Sequence, residues 1–398
     1  LGANTGNNAT FNTAVGQAAL LVITTGDNNT ALGSNALDAL TTGSNNVALG
    51  MDALGLNATM SNNVAIGTYA ADALTAGQDC VFIGHYAGSS ITSAGGGTLD
   101  GAIAIGREAM LGSASTTNAV GGAIAIGQNA MKSITTGTEN VSIGENALQT
   151  LTTGSSNVAL GIKALQEHLT GQKNIAIGAY AMGDTNAGTN SQDSDHNIFI
   201  GYLSGGGAWA NTKSEYNVAV GNNTMDAVMD GAGWNTAVGN AALGGITTGD
   251  SNVGVGADAG KSITTASNNT AVGTGALDAA TAGGDNVAIG KDALGSVAVG
   301  ENSNVAIGMY AMRSMDEGTG GGDIDGNIAI GYDAFKGGDL ASNDRQIQGN
   351  IAIGMYALDA TADNAQTGTI AIGHQALTAL TSGTQNTAIG YQAGLIAT

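Results

Sequence analysis

The stretch Leu40-Thr41-Thr42-Gly43-Ser44-Asn45-Asn46-Val47-Ala48-Leu49-Gly50-Met51-Asp52-Ala53-Leu54 holds every part of a unit that recurs along the chain. Its centre, Asn-x-Ala-aliphatic-Gly, ends in glycines at 16, 33, 50, 67, 84, 106, 127, 144, 161, 178, 201, 221, 239, 256, 273, 290, 308, 331, 354, 373 and 390, making 21 copies and 20 intervals. Eleven intervals are 17 residues long and nine run from 18 to 23, so the unit is 17 residues with tolerated insertions. The residue before each glycine is Val, Ile or Leu, and the residue two earlier is Thr, Val or Ile. β-Branched residues at period two predict a strand. Glycine permits the corner that follows. An Ala three residues on, followed mostly by Leu or Met, makes a second inward stripe, and Thr-Thr-Gly at 24–26, 135–137, 152–154 and 247–249 closes a second corner.

Two short segments and two corners are too little chain for a βαβ unit. Recurrent glycine, at about 1 kcal/mol each in a helix interior, argues against a helical repeat despite the abundant Ala, Leu and Met. The predicted fold is all-β: a parallel β-solenoid of about 21 coils, with 1–398 a single repetitive domain. Extra residues fall between the Ala-Leu position and the next Asn, which predicts longer corner loops at 85–101, 107–122, 179–196, 202–234, 309–326 and 332–349. At a strand spacing of about 4.8 Å, such a stack predicts a rod on the order of 100 Å long.

Composition agrees with something periodic. There are 66 glycines and no proline among 398 residues, with 4% aromatic and 10% charged. Collagen needs glycine at every third position with abundant proline and is excluded. A formal charge of −21 argues against nucleic acid and anionic membrane as partners. No apolar run approaches a membrane span, so membrane insertion is not expected. Cys80 is the single cysteine and has no intrachain disulfide partner. The chain begins at Leu1, and the repeat starts almost at once and stops in mid-coil at 391–398. Neither end reads as a cap, so the rod is expected to continue into flanking domains or head to tail as a filament.

In a solenoid equivalent positions stack. The Asn column is Asn in 17 of 21 copies, the exceptions being Cys80, Ala102, Ala123 and Thr369, and it reads as a ladder of amides bonded from rung to rung. Val15, Leu49, Ile66, Ile126, Ile289 and Ile353 are expected to face inward. The residue between the two aliphatics is Ala in 17 copies, otherwise Phe82, Ser142, Phe199 or Gly254, and is expected to face outward. That stripe would need covering. The expectation is therefore a homo-oligomer, most economically a trimer, meeting through Ala48, Ala65, Ala159, Ala219, Ala288 and Ala352.

Asn63-Val64-Ala65-Ile66-Gly67 resembles the head repeat of trimeric autotransporter adhesins, a left-handed parallel β-roll that trimerises. The longer unit Thr381-Ser382-Gly383-Thr384-Gln385-Asn386-Thr387-Ala388-Ile389-Gly390-Tyr391-Gln392-Ala393-Gly394 also resembles shaft repeats of phage tail fibres. The resemblance covers nearly the whole chain and departs in period, because adhesin heads commonly run shorter than 17 residues. It implies an extracellular structural fibre or adhesin shaft, on a cell surface or a virion, meeting a cell-surface glycan or receptor.

Chemistry is sparse. His85, His168, His196 and His374 sit in different coils without ligand spacing, and no nucleophile elbow or phosphate loop is present. A non-enzymatic protein with no required cofactor is expected. Asp316, Glu317, Asp323 and Asp325 gather oxygen ligands around glycines, an arrangement suited to Ca2+. Trp209, Trp234, Tyr202 and Tyr216 group rare aromatics that suit sugar rings. Two alternatives remain at this point. One is a ligand-binding solenoid acting by a flat threonine face, as in ice binding, although Met60, Ala76 and Ala282 interrupt the array. The other is an enzyme acting on polysaccharide, which would need paired carboxylates at one height.

Overall fold

A computed structural model describes residues 8–56, 58–92, 99–112, 120–185, 191–295, 301–315, 323–337, 346–360, 366–381 and 383–395. Parts of the longer corners at 85–101, 107–122, 179–196, 309–326 and 332–349 therefore lie outside the described residues. The chain divides into two compact units, Leu1–Asn197 and Ile198–Thr398. Each is a parallel β-solenoid. In the first, ten three-residue strands run from Thr13–Val15 to Ile175–Ile177; in the second, eleven run from Ile198–Ile200 to Thr387–Ile389. Ten strands bound nine full turns and eleven bound ten, about 19 turns with a repeat of about 17 residues. No α-helix occurs among the described residues, and one 3-10 turn lies at Ser191–Asp193.

Registry is strict. Strand Val47–Leu49 pairs with Val64–Ile66 so that Val47 meets Val64, Ala48 meets Ala65 and Leu49 meets Ile66. The same like-with-like pairing recurs through both units, for example Val287, Ala288 and Ile289 against Val305, Ala306 and Ile307. The corner after each strand is set by the ladder of glycines. Gly127 has φ +133, and a Cβ there would lie 2.5 Å from the carbonyl oxygen of Gly144 in the next coil. Both the conformation and the close approach exclude a side chain.

One turn, residues 29–45, shows how the interior is filled. Asn29, Ala31, Ala36, Leu37 and Leu40 are all buried. Leu40 opens the Leu-Thr-Thr-Gly corner, and its Cδ1 lies 2.7 Å from where a Gly43 Cβ would sit. The glycine is required twice over, since a Cβ there would also lie 1.9 Å from the Met60 carbonyl oxygen of the next coil. In the second unit the strands Asp323–Asp325, Gln346–Gln348 and Gln366–Thr367 form a separate three-stranded parallel sheet. There Ile324 and Ile347, three residues before the ladder asparagine, take the place of the corner glycine and are themselves buried.

The asparagine ladder forms as expected. Asn157 donates its backbone N–H to Oδ1 of Asn140 at 2.9 Å, and its Nδ2 donates to that oxygen and to the Gly171 carbonyl at 2.9 Å. Each amide thus satisfies a backbone donor of one coil and a carbonyl of another, inside a column that is buried except at its end residues Asn12 and Asn386. Cys80 keeps part of the pattern. Its N–H donates to Asn63 Oδ1 and its thiol to the Leu99 carbonyl, and burial pushes that thiol up to about 11. Acidic residues in the corners do related work: Asp100, Asp250 and Asp325 each accept a backbone N–H from the preceding coil, from Gln78, Gly233 and Asn302 respectively.

His168 stands in the aliphatic column of its turn and is wholly buried. Its Nε2 lies 3.1 Å from Asn174 Nδ2 and its Nδ1 lies 3.2 Å from Thr185 Oγ1. Burial pushes the imidazole down to about 4 from 6.5. The folded state then binds fewer protons than the unfolded chain between those values. Its contribution is complete above pH 6.5 and is lost as pH falls toward 4, amounting to about 3 kcal/mol. Denaturant melts at pH 7 and pH 4.5 should show His168→Leu losing much less stability on acidification than the unmodified chain. Equal losses would contradict the neutral, buried imidazole.

Candidate functional site: an aliphatic sheet face

The strand faces are the reverse of the expectation from sequence. Ala48, Ala65, Ala159, Ala219, Ala288 and Ala352 are 0% exposed within a single chain and cannot be an oligomer interface. The aliphatics on either side point outward, with Val15 55% and Leu49 40% exposed, Ile289 also exposed, and Ile66, Ile126 and Ile353 half-buried. The reason is the width of the coil. A 17-residue turn already carries the corner Ala, the corner Leu or Met and the Leu-Thr-Thr-Gly aliphatic inside, which leaves room for only a methyl group from the strand.

The exceptions in the alanine column demonstrate this limit. Phe82 and Phe199 are fully buried, and in both coils the corner Leu or Met is replaced by glycine. A Cβ at Gly88 would sit 2.3 Å from the Phe82 ring, and one at Gly205 would sit 2.6 Å from that of Phe199. Where Gly254 leaves the column empty, Leu243 of the preceding coil fills in, 2.9 Å from its absent Cβ. Ser142 satisfies its hydroxyl by donating to the Ala147 carbonyl at 2.8 Å.

Each unit therefore presents two parallel columns of Val, Ile, Leu and a few Thr, with no charged residue in either. Ten strands at about 4.8 Å give the first unit a strip about 48 Å long and about 10 Å wide, on the order of 500 Å². A strip of that size is at the upper end of what a single chain leaves exposed, and such patches are often functional.

The other sequence-derived sites fare unevenly. Trp209 is buried, its ring edge-on to Phe199 at 5.7 Å and its Nε1 donating to the Gly205 carbonyl. That geometry removes it from any glycan surface. Trp234 is 63% exposed and stacks on Tyr216 at 5.6 Å with the planes 9° apart. Both precede a ladder asparagine, whereas exposed Tyr202 follows the glycine at the opposite end of its strand. The structure brings together two of the four. Asp316 and Glu317 lie outside the described residues; Asp323 and Asp325 sit on one strand, and Asp325 Oδ1 already accepts the Asn302 N–H. No group of three metal-ligating side chains occurs among the described residues.

Threonine hydroxyls of the corners are engaged from coil to coil. Thr24, Thr41, Thr135, Thr247 and Thr264, the first of each Thr-Thr pair, donate to a carbonyl of the following turn, whereas the second of the pair is exposed at Thr42, Thr153, Thr248 and Thr265. A second ladder that sequence reading missed is aromatic: Tyr310, Tyr332, Tyr356, His374 and Tyr391 touch ring to ring at 5.4–6.4 Å. Its signal was present, since each falls one or two residues after a strand glycine. No protein-family model and no curated protein matches this chain.

Proposed function

We propose that the chain is a structural fibre or adhesin shaft that works outside the cell, on a cell surface or a virion, and that copies of it pack side by side through the aliphatic strand face. The observation that carries this reading is the pair of uncharged aliphatic columns on the outside of a coil whose own interior is already full. Like-with-like registry makes the face uniform along each unit, the condition under which identical copies fit in parallel. Three copies about a common axis cover every such face, and the resemblance to trimeric adhesin heads favours that number. The role is mechanical and not catalytic, and the exposed Tyr216–Trp234 pair is the surface suited to a sugar ring. Antibodies raised against the chain should label intact, unpermeabilised source cells or particles on projecting structures. Label seen only after permeabilisation would contradict the reading.

A further inference from the structure

Five residues after the strand glycine, six successive coils of the second unit carry Asp226, Gly244, Lys261, Asp278, Gly295 and Arg313. The order is acid, gap, base, then acid, gap, base. Backbone bonds hold these corners in register: Ala227 N–H to the Gly244 carbonyl at 3.1 Å, Gly245 N–H to the Lys261 carbonyl at 2.8 Å, and Ser262 N–H to the Asp278 carbonyl at 3.1 Å. Each glycine therefore opens a notch in a ridge of side chains, with Asp226 or Asp278 on one wall, Lys261 or Arg313 on the other, and a second carboxylate, Asp258 or Asp292, in the lining. The walls are two coils apart, about 10 Å at the strand spacing. Both notches are open clefts: about 660 Å³ lined by Asp226, Gly244, Asp258 and Lys261 among others, and about 150 Å³ lined by Asp278, Asp292, Gly295 and Arg313.

The cations are held in place by their own coils. Lys261 is held by Asp258 at 3.0 Å, and the Arg313 guanidinium lies over the Tyr310 ring at 4.6 Å. Asp226 and Asp278 make no ion pair with another described residue, and burial raises both carboxyls above their usual range. Such groups gain from a donor brought in from outside. A glycine gap alone is not special to this region, since Gly55 lies between Asp38 and Asp72 in the first unit. There both walls are acidic. Opposed charges belong to the two notches of the second unit, in the same polarity and three coils apart, about 14 Å.

We propose that these two notches, alike in polarity though not in size, are subsites for a polysaccharide carrying both ammonium and carboxylate groups. The amino groups meet Asp226 and Asp278, and the carboxylates meet Lys261 and Arg313. A polymer with both charges satisfies the two walls of each notch at once, and the repeated polarity lets one chain occupy both. The proposal deepens the glycan contact of the fibre reading but does not depend on self-association, which is measured separately by native mass.

The test is calorimetric titration of the full chain with carboxymethyl chitosan oligomers, with neutral dextran oligomers as the second probe. The chitosan derivative should bind and dextran should not. Gly244→Gln with Gly295→Gln fills both notches at a position that already accepts Asp, Lys and Arg in neighbouring coils, and should weaken binding by more than about tenfold at unchanged native mass. Should the filled variant fold poorly, Asp226→Asn with Asp278→Asn removes the acidic walls alone and should weaken binding by a similar factor. No binding, equal binding of dextran, or affinity unchanged in these variants would overturn the proposal.

Discussion

Ala159→Asp should unfold the coils around residue 159, whereas Leu160→Asp, one residue along the same strand, should leave them folded. Ala159 is fully enclosed and Leu160 is 42% exposed. A carboxylate at 159 would be buried without a partner in a space that admits a methyl group. Overpacking and an uncompensated buried charge together cost on the order of 5 kcal/mol. Stability in a solenoid is shared mainly between neighbouring turns, so the loss should spread from the altered turn to those it pairs with. At 160 the carboxylate stays in water in the isolated chain, and surface substitutions of that kind stay within about 0.5 kcal/mol apart from the lost strand preference. Denaturant melts followed by circular dichroism distinguish the two. Equal destabilisation, or the reverse order, would mean that the strand faces have been assigned the wrong way round.

Three lysines on the outer columns, Ile66→Lys, Ile126→Lys and Ile143→Lys, should dissociate the assembly while preserving the coil. All three isoleucines are half-buried in the single chain, so each lysine can keep its ammonium in solvent there. In an assembly joined through that face the same ammonium groups would be buried against aliphatic side chains of another copy. The effective penalty is several kcal/mol per ion, which three sites together make larger than a side-by-side association can offset. A spectrum like that of the unmodified chain together with the mass of a single chain is the expected outcome. Persistence of the larger species would place the contact on another face.

The period, the parallel strands, the corner glycines and the amide ladder were all legible in the sequence because each is a local or strictly periodic property. Which strand face turns inward was not. Alternation at Val47-Ala48-Leu49 establishes two faces but does not orient them, and the rule that large aliphatics go inside assumes a coil wide enough to hold them. The information that orients the strand was nevertheless present as volume compensation within single turns: Phe82 with Gly88, and Phe199 with Gly205. A large inward residue paired with a missing corner side chain makes sense only if the middle strand position faces the core. Similar column reasoning would have separated Trp209 from Trp234. The position before the ladder asparagine is exposed at Asn45, Asn62 and Asp79 as it is at Trp234, while Trp209 lies in the stretch that supplies the interior aliphatic.

The notches depend on a longer correlation. Reading Asp226, Gly244 and Lys261 as neighbours requires counting from each strand glycine, because the intervening intervals are 18 and 17 residues. Once counted that way, the acidic residues include corner acceptors such as Asp100 and Asp250, bonded to backbone amides, ion-paired residues such as Glu108 and Asp258, and ridge residues such as Asp226 and Asp278, which are not in ion pairs with described residues.

Sedimentation equilibrium of the unmodified chain asks directly whether the aliphatic face is covered in solution. Packing through the Val, Ile and Leu columns predicts a multiple of the 38.7 kDa chain mass, three times that value for the trimer. A species of 38.7 kDa that persists at high concentration and near-neutral pH would leave those columns open to water and contradict the assembly.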